Sequence, residues 1–245
     1  MIHGYVFDLD GTLVQTERLK AVSYARAKVE LCPYPVTAEE VIAAFKDVVG
    51  LPRRDMALSL VEKFDLEDQA RQRQDEFGVE TAWQAFVQVR LGYYRQMMAD
   101  PQMIRENQWP HTMSLLKRAR KENCQVALAT MSGCSQTQRV LDILQLNDAF
   151  DFIATRDDVE RGKPDPEIYL LVIRELHLDP NKVVAIEDSP SGVEAALSAG
   201  LLVVAVATPF TRSRLFSSGL LSKEHIAEHP QQLETVLAHI AAQEG

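Results

Sequence analysis

The chain is poor in several of the features that would announce a class. It has three cysteines in 245 residues, Cys32, Cys124 and Cys134. Their number is odd and their spacing matches no metal-ligand pattern, which excludes a disulfide framework or a zinc module as the organising principle. Small buried side chains or reduced thiols account for them. No apolar run is long enough to cross a bilayer. There is no long basic run and the net charge is −9, so nucleic acid and anionic membrane are not the expected partners. The N-terminus lacks a basic stretch with a cleavage site and goes straight into an apolar segment, so a cytoplasmic protein is expected. Internal repeats and low-complexity linkers are missing too. What remains is an ordinary globular composition, 46% hydrophobic and 25% charged, with ample material for a core.

The most informative stretch is Tyr5-Val6-Phe7-Asp8-Leu9-Asp10-Gly11-Thr12-Leu13. The apolar run Tyr5 to Phe7 reads as a buried strand. It ends in two carboxylates one residue apart, and Gly11 and Thr12 turn the chain away. Residues two apart start on the same side of a strand, so Asp8 and Asp10 can sit close together. Two like charges that close need compensation. A divalent cation supplies it, and oxygen ligands suit magnesium.

From Thr16 to Met98 the pattern is helical. Helices are expected over Thr16 to Glu30, from the capping box Thr37-Ala38-Glu39-Glu40 as far as Gly50, after Pro52, through Asp65 to Glu76, and over Glu80 to Met98. Pro33 and Pro35 interrupt between the first two. Residues 18–99 carry 12 basic and 12 acidic side chains, so the rest of the chain holds the whole negative excess.

After Trp109 helices and strands alternate. Strands are expected at Gln125–Ala129, Asp151–Ala154, Lys182–Ile186 and Leu202–Val206. Helices are expected at His111–Glu122, Gln136–Leu144, Pro166–Leu176, Ser191–Ala199, Thr211–Ser217 and Leu233–Ala242. This alternation predicts an α/β fold, a Rossmann-like parallel sheet with helices on both faces. The helical stretch becomes an inserted all-α domain. The expected division is residues 1–16 with 100–245 for the α/β domain and 17–99 for the insert. Ligands bind beyond the carboxyl ends of such strands. Asp8, Asp10, Thr130, Glu187 and Asp188 all fall there.

Three further segments extend the pattern. Thr130, with Ser132 close behind, ends a strand, where hydroxyls and backbone amides can hold a phosphate oxygen or simply make a turn. In Arg161-Gly162-Lys163-Pro164-Asp165-Pro166 the prolines stiffen the chain around Lys163, which can neutralise phosphate and hold a carboxylate ionised. In Val183-Val184-Ala185-Ile186-Glu187-Asp188-Ser189 a strand again delivers adjacent carboxylates. There Asp188 or Ser189 can also cap the following helix.

Asp-x-Asp-Gly-Thr, a strand-ending Thr, Gly-Lys-Pro-x-Pro and Glu-Asp-Ser-x-x-Gly, in this order, resemble the four motifs of the haloacid dehalogenase superfamily. The resemblance covers residues 4–206 and places the helical insert where the family has its cap. It implies an aspartyl phosphate on Asp8, with Asp10 as general acid and base, and Thr130 and Lys163 holding the phosphoryl oxygens. It implies magnesium bound by Asp8, the backbone carbonyl of Asp10, and Asp188, with Glu187 a direct or outer ligand. Gly50-Leu51-Pro52-Arg53-Arg54-Asp55 looks like the cap loop of the β-phosphoglucomutase-like branch. Thr16, Arg53, Arg90 and Ser132 are then the substrate contacts. Gln15 and Lys20 depart from the mutase pattern, which has an aspartate and a histidine there. The expectation is therefore a phosphatase of a small phosphorylated metabolite, a sugar phosphate, acting as a monomer or homodimer. The alternatives are a sugar-phosphate mutase and a non-catalytic binding protein.

Overall fold

The computed structural model describes residues 2–33, 36–49 and 51–243. It divides into two compact units, one of residues 1–15 with 104–245 and one of residues 16–103. The breaks expected at Pro35 and Gly50 lie outside the described residues.

The first unit is built on β1 (Gly4–Phe7), β2 (Gln125–Ala129), β3 (Phe152–Ala154), β4 (Val183–Glu187), β5 (Leu202–Val206) and β6 (Ile226–Ala227). Every pairing is parallel and the spatial order is β3-β2-β1-β4-β5-β6. β1, with four buried residues, is central, as expected of a near-continuous apolar run. One face, carrying Val6, Ala127, Ala129, Val183, Ala185, Val203 and Ala205, shares a core with Ile168, Tyr169, Val172, Val193, Ala196 and Leu215. The small residues of that face let the later helices approach closely. The alternate residues Phe7, Val126, Leu128, Val184, Ile186 and Val204 are equally buried, on the opposite face by the two-residue period.

The second unit is helical. It contains α1 (Thr16–Leu31), α2 (Ala38–Val48), α3 (Arg53–Lys63), α4 (Glu67–Arg71), α5 (Gln74–Phe77) and α6 (Ala82–Ala99), and the first half of α7 (Pro101–Glu106). The Thr37 box forms: Thr37 Oγ1 accepts the Glu40 N–H at 3.3 Å and the Glu40 carboxylate accepts the Thr37 N–H at 2.8 Å. The centre of this unit is Tyr24, whose ring lies 5.6 Å from Phe45 and 5.5 Å from Phe86. The single helix expected over Asp65 to Glu76 is two short ones. Asp65 has φ 50 and opens a turn, and Gly78, at φ 60, stops α5.

In the first unit the helices are α8 (Pro110–Lys121), α9 (Cys134–Leu144), α10 (Glu167–Leu176), α11 (Pro190–Ser198), α12 (Arg212–Ser218) and α13 (Leu233–Gln243). The Tyr5 side chain meets Arg118 of α8, and Arg118 also pairs with Glu234 of α13. Helices therefore cover both faces. Among the described residues, no helix is long and apolar enough to cross a membrane.

Candidate active site

The register of the sheet gathers the carboxylates. Phe7 is paired with Ile186 across β1 and β4, so Asp8 emerges beside Glu187. The Asp8 N–H donates to the Ile186 carbonyl at 3.0 Å and extends that ladder by one step. The chain then turns tightly. Gly11, at φ 97, takes a conformation that side chains resist. Its N–H donates to Val14 O at 2.7 Å, while the Leu13 and Val14 N–H groups both donate to Leu9 O at 3.0 Å.

Carboxylate oxygens of Asp8, Glu187 and Asp188, all buried, lie within 4.8 Å of one another. A cation faces this group. Lys163 Nζ donates to Asp8 Oδ1 at 2.8 Å, Glu187 Oε1 at 2.6 Å and Ala129 O at 2.9 Å, which uses all three of its protons. Burial works against the Lys163 ammonium, but Asp8 and Glu187 overcome it and hold it well above its ordinary value. Asp8 goes the other way from an ordinary carboxylate. Burial, with Glu187 and Asp10 adding to it, pushes its carboxyl up to about 8 despite Lys163. Three buried carboxylates against one ammonium, all oxygen donors, fit a hard divalent cation.

Glu187 is the most tightly held of the three. Oε1 accepts Lys163 Nζ and, at 2.6 Å, the Tyr169 hydroxyl. Oε2 accepts the Asp188 N–H at 3.2 Å and the Ser189 hydroxyl at 3.3 Å. Ser189 also caps α11, with Oγ accepting the Gly192 N–H at 3.1 Å. Gly192 is what makes room: a Cβ there would stand 2.0 Å from the Glu187 carboxyl.

Asp10 occupies a different environment. Its carboxylate accepts from the Ser132 hydroxyl and, at 3.4 Å, from Thr130 Oγ1. The Ser132 N–H in turn donates to Thr130 Oγ1 at 3.0 Å. The Asp10 side chain stands outside the three-carboxylate group, and the end of β2 serves it instead.

Thr16, Arg53 and Arg90 belong to the helical unit. Thr16 opens α1 and is buried, and Arg53 opens α3 and is exposed. Arg90 does not lie on a solvated helix face. It is only 7% exposed, and its guanidinium lies 4.9 Å from the ring centres of Tyr24 and Tyr94. Burial lowers its pKa from the ordinary arginine value. Tyr169 matters to the site with no motif to mark it, whereas Gly192 is the glycine of Glu-Asp-Ser-x-x-Gly. Tyr169 reads in the sequence as one more apolar position of α10. Gly192 does carry a signal, a glycine in the first turn of a helix.

A model of the haloacid dehalogenase-like hydrolases matches residues 2–200. The chain belongs to this family. Among haloacid dehalogenase-like relatives, a phosphorylated carbohydrates phosphatase of Thermotoga maritima is 32% identical over 200 residues, 82% of each chain. A validoxylamine A 7'-phosphate phosphatase of Streptomyces hygroscopicus subsp. limoneus is 28% identical, covering 89% of this chain and 92% of that one. A crystal structure from Thermotoga maritima, described provisionally as a β-phosphoglucomutase, superposes with a TM-score of 0.70. It is 28% identical, and the match covers 97% of this chain and 99% of that chain.

Proposed function

We propose that this haloacid dehalogenase-like hydrolase is a magnesium-dependent phosphatase of a small phosphorylated metabolite, a sugar phosphate. The observation that carries this is the division of labour between Asp8 and Asp10. One strand end delivers both, yet Asp8 faces Lys163 among carboxylates and Asp10 faces two hydroxyls. Carboxylates in separate environments can take separate roles.

Asp8 attacks phosphorus, forming an aspartyl phosphate, and the bond from phosphorus to the ester oxygen breaks. Asp10, protonated at that moment, gives its proton to the leaving oxygen. It then takes a proton from the water that attacks the aspartyl phosphate, which releases phosphate and restores Asp8. Ser132 and Thr130 orient the Asp10 carboxylate for both transfers. Lys163 neutralises charge on Asp8 and on the incoming phosphoryl group. Asp8, Asp188 and the backbone carbonyl of Asp10 would hold magnesium. Both oxygens of Glu187 already take protein donors, so Glu187 holds Lys163 in place. The bound cation supplies the second positive charge that an Asp8 titrating near 8 needs to be ionised at neutral pH.

The sugar-phosphate substrate is supported by the two phosphatase relatives, whose names specify phosphorylated carbohydrates and validoxylamine A 7'-phosphate. A mutase is the second reading, favoured by the likeness to the provisional β-phosphoglucomutase. Phosphorus NMR of the protein with magnesium and a panel of sugar phosphates decides between them. Free phosphate without phosphorylated isomers is expected. Isomers appearing in place of free phosphate would establish the mutase.

A further inference from the structure

Tyr169 is completely buried and its hydroxyl reaches a group that chemistry depends on. It donates to Glu187 Oε1 at 2.6 Å, the same oxygen that accepts Lys163 Nζ at 2.6 Å. Its ring centre lies 5.0 Å from that ammonium. One side chain therefore touches both members of the Lys163–Glu187 pair. The sequence makes this possible: Lys163 enters six residues before Tyr169, and α10 packs Tyr169 into the core beside Ala129 and Ala185. Gly192 leaves room for the Glu187 carboxyl, which a Cβ there would approach to 2.0 Å.

We propose that Tyr169 is a positioning residue for the phosphoryl-transfer step, holding Glu187 so that its Oε1 pins the Lys163 ammonium on Asp8. A buried carboxylate oxygen with two donors is fixed in direction; with Lys163 as its one donor Oε1 is less closely held, and the third anchor of the Lys163 ammonium loosens. The aromatic ring alone would keep the packing and the cation–π contact, so the hydroxyl is the part that carries the role.

This rests on Asp8 and Lys163 performing the chemistry as proposed above, so the test has two tiers. Asp8→Asn must first abolish magnesium-dependent phosphate release; retained turnover there overturns the proposed function, whatever Tyr169 does. Tyr169→Phe is then compared with wild type on the best sugar phosphate of the panel. The expected result is a kcat lowered about tenfold to a hundredfold with KM within about twofold, the range seen when an outer partner of a metal or catalytic ligand is removed. Magnesium binding by calorimetry, without substrate, is expected to weaken about tenfold. A merely structural tyrosine would instead lower kcat in proportion to the folded fraction and leave the magnesium affinity of the folded protein unchanged. That outcome, or a Tyr169→Phe protein with wild-type kcat, overturns the role. If Tyr169→Phe does not fold, Glu187→Gln is measured in its place. It keeps the Lys163 and Ser189 contacts available but cannot accept the Tyr169 proton and the Lys163 proton with a full charge. Loss of kcat at constant KM is again expected, and an unchanged kcat contradicts the role.

Discussion

Gly192→Ala should be among the most damaging single-methyl additions in this protein. The added Cβ would stand 2.0 Å from the Glu187 carboxyl carbon and from Oε1, and 2.1 Å from Oε2. Contacts below about 3 Å do not survive, and Glu187 has nowhere to retreat: it is fully buried and four donors hold it. Overpacking of this kind costs about 1–3 kcal/mol. Each hydrogen bond to a buried charge that stretches or breaks adds about 1.5–3 kcal/mol. Replacing glycine by alanine inside a helix returns about 1 kcal/mol. The net expectation is a loss of about 3 kcal/mol, or roughly 6–12 °C in melting temperature for a protein of this size. Gly92→Ala is the matched control. Gly92 also sits in a helix, α6, but a Cβ there meets nothing within 4 Å. The same chemical change should therefore stabilise the helical unit by about 1 kcal/mol. Thermal and urea unfolding of both variants, read against wild type, gives the two signs directly. A Gly192→Ala protein as stable as wild type would refute the packing assigned to Glu187.

Three further expectations follow from the site and the helical unit. In metal-free protein the folded Asp8 keeps its proton up to about 8 whereas an unfolded aspartate loses it near 4. The folded state binds the extra proton, so this group's contribution to stability falls as pH rises through that window. Asp8→Asn should gain in melting temperature relative to wild type over the same range, and added magnesium should close the gap by stabilising wild type; a gap that is flat with pH contradicts the assignment. Lys163→Met removes an ammonium bonded to both Asp8 and Glu187 and should lower kcat by several orders of magnitude, measured as phosphate release. Residual activity near wild type would show that Lys163 is not in the machinery. Thr37→Ala removes half of a formed capping box and should lower the melting temperature of the helical unit by a few degrees without altering magnesium binding, checked by circular dichroism and calorimetry.

The strands were legible because they are buried on both faces. Gln125–Ala129 and Leu202–Val206 are runs of small and branched apolar residues with a clear end, and the structure has them at those bounds. The Thr37 box was equally legible, since its chemistry is local. Elements held by tertiary contact alone were not. β6 has two residues, Ile226 and Ala227, and exists because β5 offers an edge. The sequence pattern predicts no helix over Pro101–Glu106, yet Asp100 Oδ1 accepts the Gln102 N–H at 2.9 Å and Pro101 follows, a local start signal.

In the site, the carboxylates and Lys163 could be picked out from strand ends and a proline-stiffened turn. Their partners could not. That the Tyr169 hydroxyl finds Glu187, eighteen positions away, depends on how α10 lies on the sheet. Arg90 shows the same limit, because a charged residue on a helix reads as solvated until two tyrosine rings are found within 4.9 Å of its guanidinium.

The most direct measurement is chemical trapping on residue 8. The protein is mixed with magnesium and its sugar-phosphate substrate, quenched in acid during turnover, and reduced with borohydride, which converts an acyl phosphate to an alcohol. Peptide mass spectrometry is expected to find homoserine at position 8 in wild type and no such product in Asp8→Asn, which should also release no phosphate. Steady phosphate release with position 8 unmodified, or turnover surviving in Asp8→Asn, would contradict the central claim.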